Sequence, residues 1–253
     1  MKYGIRDGLL GRDLTWQQKF ELAKEIGFDG IEICVGENYR EHPLWSREGV
    51  ENFKRLAQET GVAVSSLSPG FWQSRGFHTE NRAEGKEVLE YLIPICRTLG
   101  ADVILVPFFG NHKLTSEDVH NADLIEGFQN IAPLASEYNV QLALECTLNA
   151  ADLSHLIEHI GSRYVGVYYD VGNATNFGYD PAEEIRALGA SIAMIHSKDT
   201  GGKMLGEGTV NFPACRESIR AIGYDGYIVL ETPTGDNPAE SARRNLQFTR
   251  ENL

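Results

Sequence analysis

Gln141-Leu-Ala-Leu-Glu145, Val165-Gly-Val-Tyr-Tyr-Asp170, Ile192-Ala-Met-Ile-His196 and Tyr227-Ile-Val-Leu-Glu231 are four short apolar segments, each closed by a carboxylate or an imidazole. Their closing residues stand 25, 26 and 35 positions apart, which is one strand–helix unit each time. The same unit recurs towards the N-terminus. Strand candidates are 3–6, 30–34, 62–67, 102–107, 140–145, 165–169, 191–196 and 226–231, each rich in Val and Ile or flanked by Gly and without helical period. Amphipathic stretches near 15–26, 45–60, 81–99, 115–138, 149–160, 181–188, 212–222 and 238–251 alternate with them. Asp180-Pro181 and Asn237-Pro238 read as helix starts with Pro in the first turn. Gly27, Gly61, Gly100 and Gly223 fall just past helix ends, where a left-handed residue is wanted.

Eight such units in 253 residues give about 32 each, which matches an α/β fold of the (β/α)₈ TIM barrel type, a single domain over 1–253. A doubly wound open sheet would carry a Gly-rich phosphate turn after an early strand, and Gly4-Ile-Arg-Asp-Gly8 is not one. No Ser/Pro-rich linker or low-complexity tract interrupts the alternation. The four cysteines are scattered without a Cys-x-x-Cys pair, and the N-terminus lacks the apolar stretch of a signal peptide. Reduced thiols and a cytoplasmic location are therefore expected. No apolar run is long enough for a bilayer. The formal net charge of −13 disfavours nucleic acid, because no basic stripe offsets it.

In a barrel of this kind the strand ends share one mouth, where active sites are built. Glu145, Asp170, His196 and Glu231 would then converge, and three carboxylates in one place repel unless a cation neutralises them. One imidazole with oxygen donors suits one divalent metal ion: Mn²⁺, Mg²⁺, Co²⁺ or Zn²⁺, with the oxygen-rich set leaning to Mn²⁺. Taken one at a time, each acid is more often a helix cap or a solvated loop residue, and the histidine a hydrogen-bonded wall residue. Four in register are what carries the reading. Lys198, two residues past His196, should point into the same mouth, to polarise a substrate oxygen or to pair with a carboxylate. Trp72 and His112, on the loops after strands three and four, are candidates for an apolar wall and a polar handle against a substrate. The stretch Thr200–Gly208 could wrap an anion or close as a flexible loop. His155-Leu-Ile-Glu158-His159 matches the pattern of inverted zinc proteases, but it lies on a helix that should run down the barrel's exterior.

The stretches ending in Glu145, Asp170-Val-Gly-Asn173, Ile-His196-Ser-Lys198-Asp199-Thr200, Gly206-Glu-Gly208-Thr-Val-Asn211-Phe212 and Leu-Glu231-Thr together resemble the xylose isomerase-like sugar isomerase/epimerase superfamily. The likeness is strongest to the 3-epimerases of ketoses and ketose phosphates. It implies that Glu145, Asp170, His196 and Glu231 bind the metal. It also implies that Glu145 and Glu231 shuttle the substrate proton through a metal-stabilised enediolate. Glu32, in Gly-Phe-Asp-Gly-Ile-Glu-Ile, resembles a further feature of the family, and with Asn173 it is expected to contact the substrate. Several relatives place His three residues after the Asp of strand six. Here Asn173 stands there, a form similar to the branch acting on pentulose or hexulose phosphates. The implied partner is a small-molecule sugar or sugar phosphate, with no nucleic acid and no membrane; assembly as a homo-oligomer stays open. An aldose–ketose isomerase or an inosose dehydratase-like lyase would use the same parts. An endonuclease-IV-like nuclease needs further His and Asp ligands that are missing here, and a non-catalytic sugar-binding barrel needs no pair of bases.

Overall fold

Eight parallel strands close into a barrel in the computed structural model, which describes residues 1–253. They are β1 (Lys2–Arg6), β2 (Gly30–Val35), β3 (Ala63–Pro69), β4 (Val103–Phe108), β5 (Gln141–Cys146), β6 (Val165–Asp170), β7 (Ile192–Ser197) and β8 (Tyr227–Leu230). Strand order follows chain order, and β1 closes on β8 with Lys2 opposite Tyr227 and Ile5 opposite Leu230. Around the sheet lie α1 (Trp16–Ile26), α2 (Arg47–Thr60), α4 (Arg82–Thr98), α5 (Ala122–Tyr138), α6 (Ala150–Ile160), α8 (Pro181–Leu188), α9 (Phe212–Ala221) and α10 (Pro238–Asn252). Two short helices, α3 (Trp72–Arg75) and α7 (Val171–Asn176), sit directly after β3 and β6. No helix is long and apolar enough to cross a membrane.

Local chemistry sets these boundaries. Asp180 and Asn237 accept hydrogen bonds from the first free N–H groups of α8 and α10, with Pro181 and Pro238 in the first turn. Gly27 (φ 101°) and Gly61 (φ 78°) end α1 and α2 in the left-handed region, which glycine reaches without a Cβ penalty. The expected helix 115–138 divides in two. Ser116–His120 forms a 3₁₀ turn, then Asn121 accepts from Leu124 N (3.1 Å) and starts α5 afresh. An Asn cap satisfies N–H groups that a continuous helix would bond internally, so the turn and the helix separate there. The other long helices and all strands fall within two residues of expectation.

Two apolar layers result. The larger joins the outer face of the sheet to the helices. The smaller fills the barrel with Val103, Leu105, Ala143, Tyr168, Met194 and Val229. Side chains alternate along a strand with period two. Two residues beyond inward-facing Ala143, Tyr168, Met194 and Val229 stand Glu145, Asp170, His196 and Glu231. The barrel's own packing therefore aims these four inward, one level above the core.

Helix α3 is held against α4 at Gly85, where a Cβ would lie 1.6 Å from the Arg75 carbonyl oxygen. Gly85→Ala must push the two helices apart. It should cost about 1–3 kcal/mol, as overpacking does, measured by denaturant unfolding. An unchanged midpoint would show that α3 yields freely.

Candidate metal centre

The strand register fixes the height of every group at the mouth. Asp170 pairs with His196 across β6 and β7, Glu145 with Pro107 across β4 and β5, and Arg6 with Glu32 across β1 and β2. Glu231 lies one residue past β8, yet its N–H still donates to Ser197 O (3.1 Å), so the ladder carries it to the same level. One ligand atom from each of Glu145, Asp170, His196 and Glu231 can be chosen so that all lie within 4.8 Å of one another.

His196 is the hub. Its fully buried ring presents Nδ1 to Glu231 Oε2 (3.1 Å), Glu145 Oε1 (3.5 Å) and Asp170 Oδ2 (3.8 Å). Its Nε2 faces Glu32 Oε1 at 3.4 Å. Glu32 is in turn held by Ser66 Oγ (2.8 Å) and by the Tyr168 hydroxyl, which reaches it across the barrel (2.7 Å). A carboxylate behind the distal nitrogen of a histidine fixes the ring and raises its donor strength, the arrangement typical of metal-binding imidazoles. Glu32 is thus set behind His196 and away from the cleft, so it does not face a substrate as expected: Ser66, Tyr168 and His196 already claim its carboxylate.

Asp170 divides its two oxygens. Oδ1 accepts from the backbone N–H of Asn173 (2.7 Å) and caps α7, while Oδ2 is buried without a hydrogen-bond donor. Glu231 Oε2 and both ring nitrogens of His196 are buried without a hydrogen-bond partner as well. Of these, Asp170 Oδ2, Glu231 Oε2 and His196 Nδ1 converge on one point, an arrangement that is costly unless something cationic completes it. Three carboxylates and one imidazole fit a divalent metal ion there. Asp170 thus caps α7 with one oxygen and leaves the other as a candidate ligand atom.

The electrostatics agree. Burial, aided by Glu145 and Glu231, pushes the Asp170 carboxyl up to about 7 against the opposing pull of Lys198 and His196. Burial also opposes charge on His196, but Glu32, Glu231 and Glu145 outweigh it and hold the imidazole well above its ordinary value. Burial would raise Glu231, yet His196, Arg6 and Lys198 keep it well below the usual carboxylate range. Without a cation, the pull is towards keeping protons on His196 and Asp170, while Glu231 stays charged.

The remaining cleft, about 280 Å³, is bordered by Arg6, Gln73, Phe109, Glu145, Lys198 and Glu231 among others. Lys198 Nζ stands 3.5 Å from Glu231 Oε2 and 3.7 Å from Asp170 Oδ2, so it pairs with carboxylates. Asn173 donates its side-chain amide to Glu145 Oε1 (3.1 Å). Trp72 does not border this cleft: it is fully buried in α3, edge-on to Phe77, and its neighbour Gln73 faces the opening instead. His112 is also outside the cleft, its carbonyl oxygen 3.1 Å from His78 Nε2. A loop has no period to tell inward from outward, and the Trp72 ring is claimed by Phe77. The Thr200–Gly208 loop neither offers its N–H groups to an anion nor hangs free. The buried Asp199 carboxylate already accepts from Thr200, Gly206, Gly208 and Val210. His155, Glu158 and His159 are exposed on α6, away from the mouth.

Arg6 joins the site although it is not among the residues expected there. Its Nε lies 3.1 Å from Glu32 Oε1 and 3.3 Å from Cys34 Sγ, and its Nη1 bonds Glu231 Oε1. The signal was available: Arg6 closes β1 as Asp170 closes β6.

The chain belongs to the xylose isomerase-like TIM barrel family, whose model matches residues 20–252. L-ribulose-5-phosphate 3-epimerase UlaE of Salmonella paratyphi A is 28% identical, over 93% of this chain and 89% of its own. Among solved structures, 3-keto-D-glucoside 4-epimerase YcjR from E. coli superposes with a TM-score of 0.84 at 21% identity, covering 99% of both chains. D-psicose 3-epimerase, determined in the presence of D-fructose, gives 0.81 at 19% identity over 100% of this chain and 99% of that one. These superpositions establish the shared barrel.

Metal ligands must shed protons to bind, so Mn²⁺ affinity should fall as pH drops through about 7, where Asp170 takes its proton and His196 holds one already. The expected slope below that point is about tenfold per pH unit for each proton displaced, read by metal titration at several pH values. A flat profile would contradict it. His196→Ala should lower occupancy from about one equivalent with the barrel still folded, whereas His155→Ala with His159→Ala should leave occupancy unchanged.

Proposed function

We propose that this chain is a divalent-metal-dependent 3-epimerase of ketoses or ketose phosphates, with Glu145 and Glu231 as its two proton carriers. One observation carries the reading: two glutamates from β5 and β8 share the Nδ1 face of a fully buried histidine, with an unpaired Asp170 oxygen between them. Binding a sugar needs no such pair. The family, and relatives named as epimerases of sugars or sugar phosphates, support the same reading.

Glu145, Asp170, His196 and Glu231 would hold the ion, and three oxygens with one nitrogen favour Mn²⁺. When bound, a divalent cation supplies Lewis-acid polarisation of a carbonyl oxygen. The chain's own residues do the rest. One glutamate removes the proton from the carbon beside the ketone, giving an enediolate of the substrate. The other returns a proton from the opposite face, and the centre is inverted. Lys198, a quarter exposed at the cleft, is placed to donate to the oxygen that gains charge. Asn173 fixes the orientation of Glu145 through its amide. Phe109 and Pro107 give the cleft an apolar side that restricts water near the enediolate. After each turnover the two glutamates have exchanged protonation states, so solvent must restore them.

Ketoses and their phosphates, offered with Mn²⁺ in heavy water, should yield the 3-epimer carrying solvent deuterium at carbon 3. Glu145→Gln and Glu231→Gln should each lower turnover by at least about a hundredfold, the usual scale for losing a general acid–base group. Metal occupancy is measured alongside. Full activity in both variants with metal bound would overturn the two-carboxylate mechanism, and an aldose product would identify an isomerase.

A further inference from the structure

We propose that Arg6 is a positioning residue that keeps Glu231 competent as a proton carrier, by occupying one oxygen of Glu231 and restricting it to a single-oxygen hold on the metal. The inference rests on the reading above, and it concerns a residue that neither the family likeness nor the ligand set brings in.

The guanidinium is fixed from behind. Arg6 pairs with Glu32 in the β1–β2 register, and its Nε lies 3.1 Å from Glu32 Oε1. Glu32 cannot move away, because Ser66 (2.8 Å) and Tyr168 (2.7 Å) hold its other oxygen inside the barrel. The β1–β8 register sets Ile5 opposite Leu230, so the next residues, Arg6 and Glu231, meet side by side. Arg6 Nη1 then takes Glu231 Oε1, and only Oε2 is left facing His196 Nδ1 (3.1 Å). Glu145 has no such partner; its Oε1 accepts from the neutral amide of Asn173.

Two effects follow. A carboxylate can ligate a metal with one oxygen or with both. With Oε1 taken, Glu231 has only Oε2, which Lys198 Nζ approaches at 3.5 Å, to divide between cation and substrate, so it cannot give both oxygens to the metal and lose its place as a base. A fixed positive charge beside a metal ligand also competes with the metal for that ligand's electrons. Arg6 therefore weakens metal binding and preserves the base. A residue that merely supported the fold would strengthen both.

The test uses Arg6→Met and Arg6→Lys in the full chain, with Mn²⁺ alone as the probe for binding and both 3-epimers in heavy water for exchange. Arg6→Met should bind Mn²⁺ tighter by about tenfold, within the range for residues behind metal ligands. Its epimerisation should fall by at least about a hundredfold, and solvent deuterium should enter one epimer only, from the face that Glu145 serves. Arg6→Lys keeps the charge but cannot span Glu32 and Glu231. It should bind Mn²⁺ much as the unaltered chain does, with unequal exchange from the two epimers. Loss of Mn²⁺ in step with turnover in both variants would overturn the proposal, as would equal exchange from both epimers. Should Arg6→Met not fold, exchange by Arg6→Lys decides: unequal supports, equal overturns. If the unaltered chain exchanges no label, the epimerase reading falls, while the Mn²⁺ arm still decides whether Arg6 competes with the metal.

Discussion

Like charge crowded into one barrel mouth is the constraint around which the rest of the molecule is arranged. Glu32, Glu145, Asp170 and Glu231 meet there, faced by Arg6, Lys198 and one imidazole. Two unit charges about 4 Å apart repel by about 4 kcal/mol at an effective dielectric constant of about 20, so a cluster of four acids cannot be left to solvent and chance. The barrel supplies the compensation in layers. Arg6 bridges Glu32 and Glu231 from β1, Tyr168 and Ser66 also hold Glu32 through the interior, and Asn173 of α7 serves the other two, its side-chain amide on Glu145 and its backbone N–H on one oxygen of Asp170. What is still uncompensated points at a single place, the candidate metal site.

The convergence of the four candidate ligands was readable because the residue that closes a strand is also the one that reaches the mouth. Glu145, Asp170, His196 and Glu231 each close a short apolar run, and the barrel's two-residue alternation turns that position inward. Arg6 obeys the same rule but was lost, since an arginine at the end of a first strand looks like any solvated terminus until Glu231 is brought beside it by barrel closure. That contact spans nearly the whole chain, and no local pattern encodes it. Trp72 failed for the opposite reason. The four residues of α3 are too short for a helical period, so nothing in the sequence separates Trp72, turned to Phe77, from Gln73, turned to the cleft.

Context also disposed of two attractive local patterns. The His155–His159 spacing is that of a zinc helix, yet Leu153, Leu156 and Ile160 are the buried face of α6 and leave both histidines outside. The glycines of Thr200–Gly208 look free, yet a Cβ on Gly208 would meet Asp199 Oδ1 at 2.0 Å. Gly206 and Gly208 let the backbone wrap an internal carboxylate. With that loop stapled shut on itself, the β7 side of the mouth is preorganised.

Asp170 ends β6, starts α7 and offers its remaining oxygen to the metal site, so no spacer residue exists between sheet, helix and ligand. Elsewhere around the mouth, chain length is free to vary. The stretch from β1 to α1 or from β4 to α5 could gain or lose residues and still deliver the same strand ends. After β6, one inserted residue would move the helix cap away from the ligand, and a longer side chain such as Glu could not keep both bonds in place. The barrel thus has a seam of fixed length at β6, and diversification of its mouth is confined to the other loops.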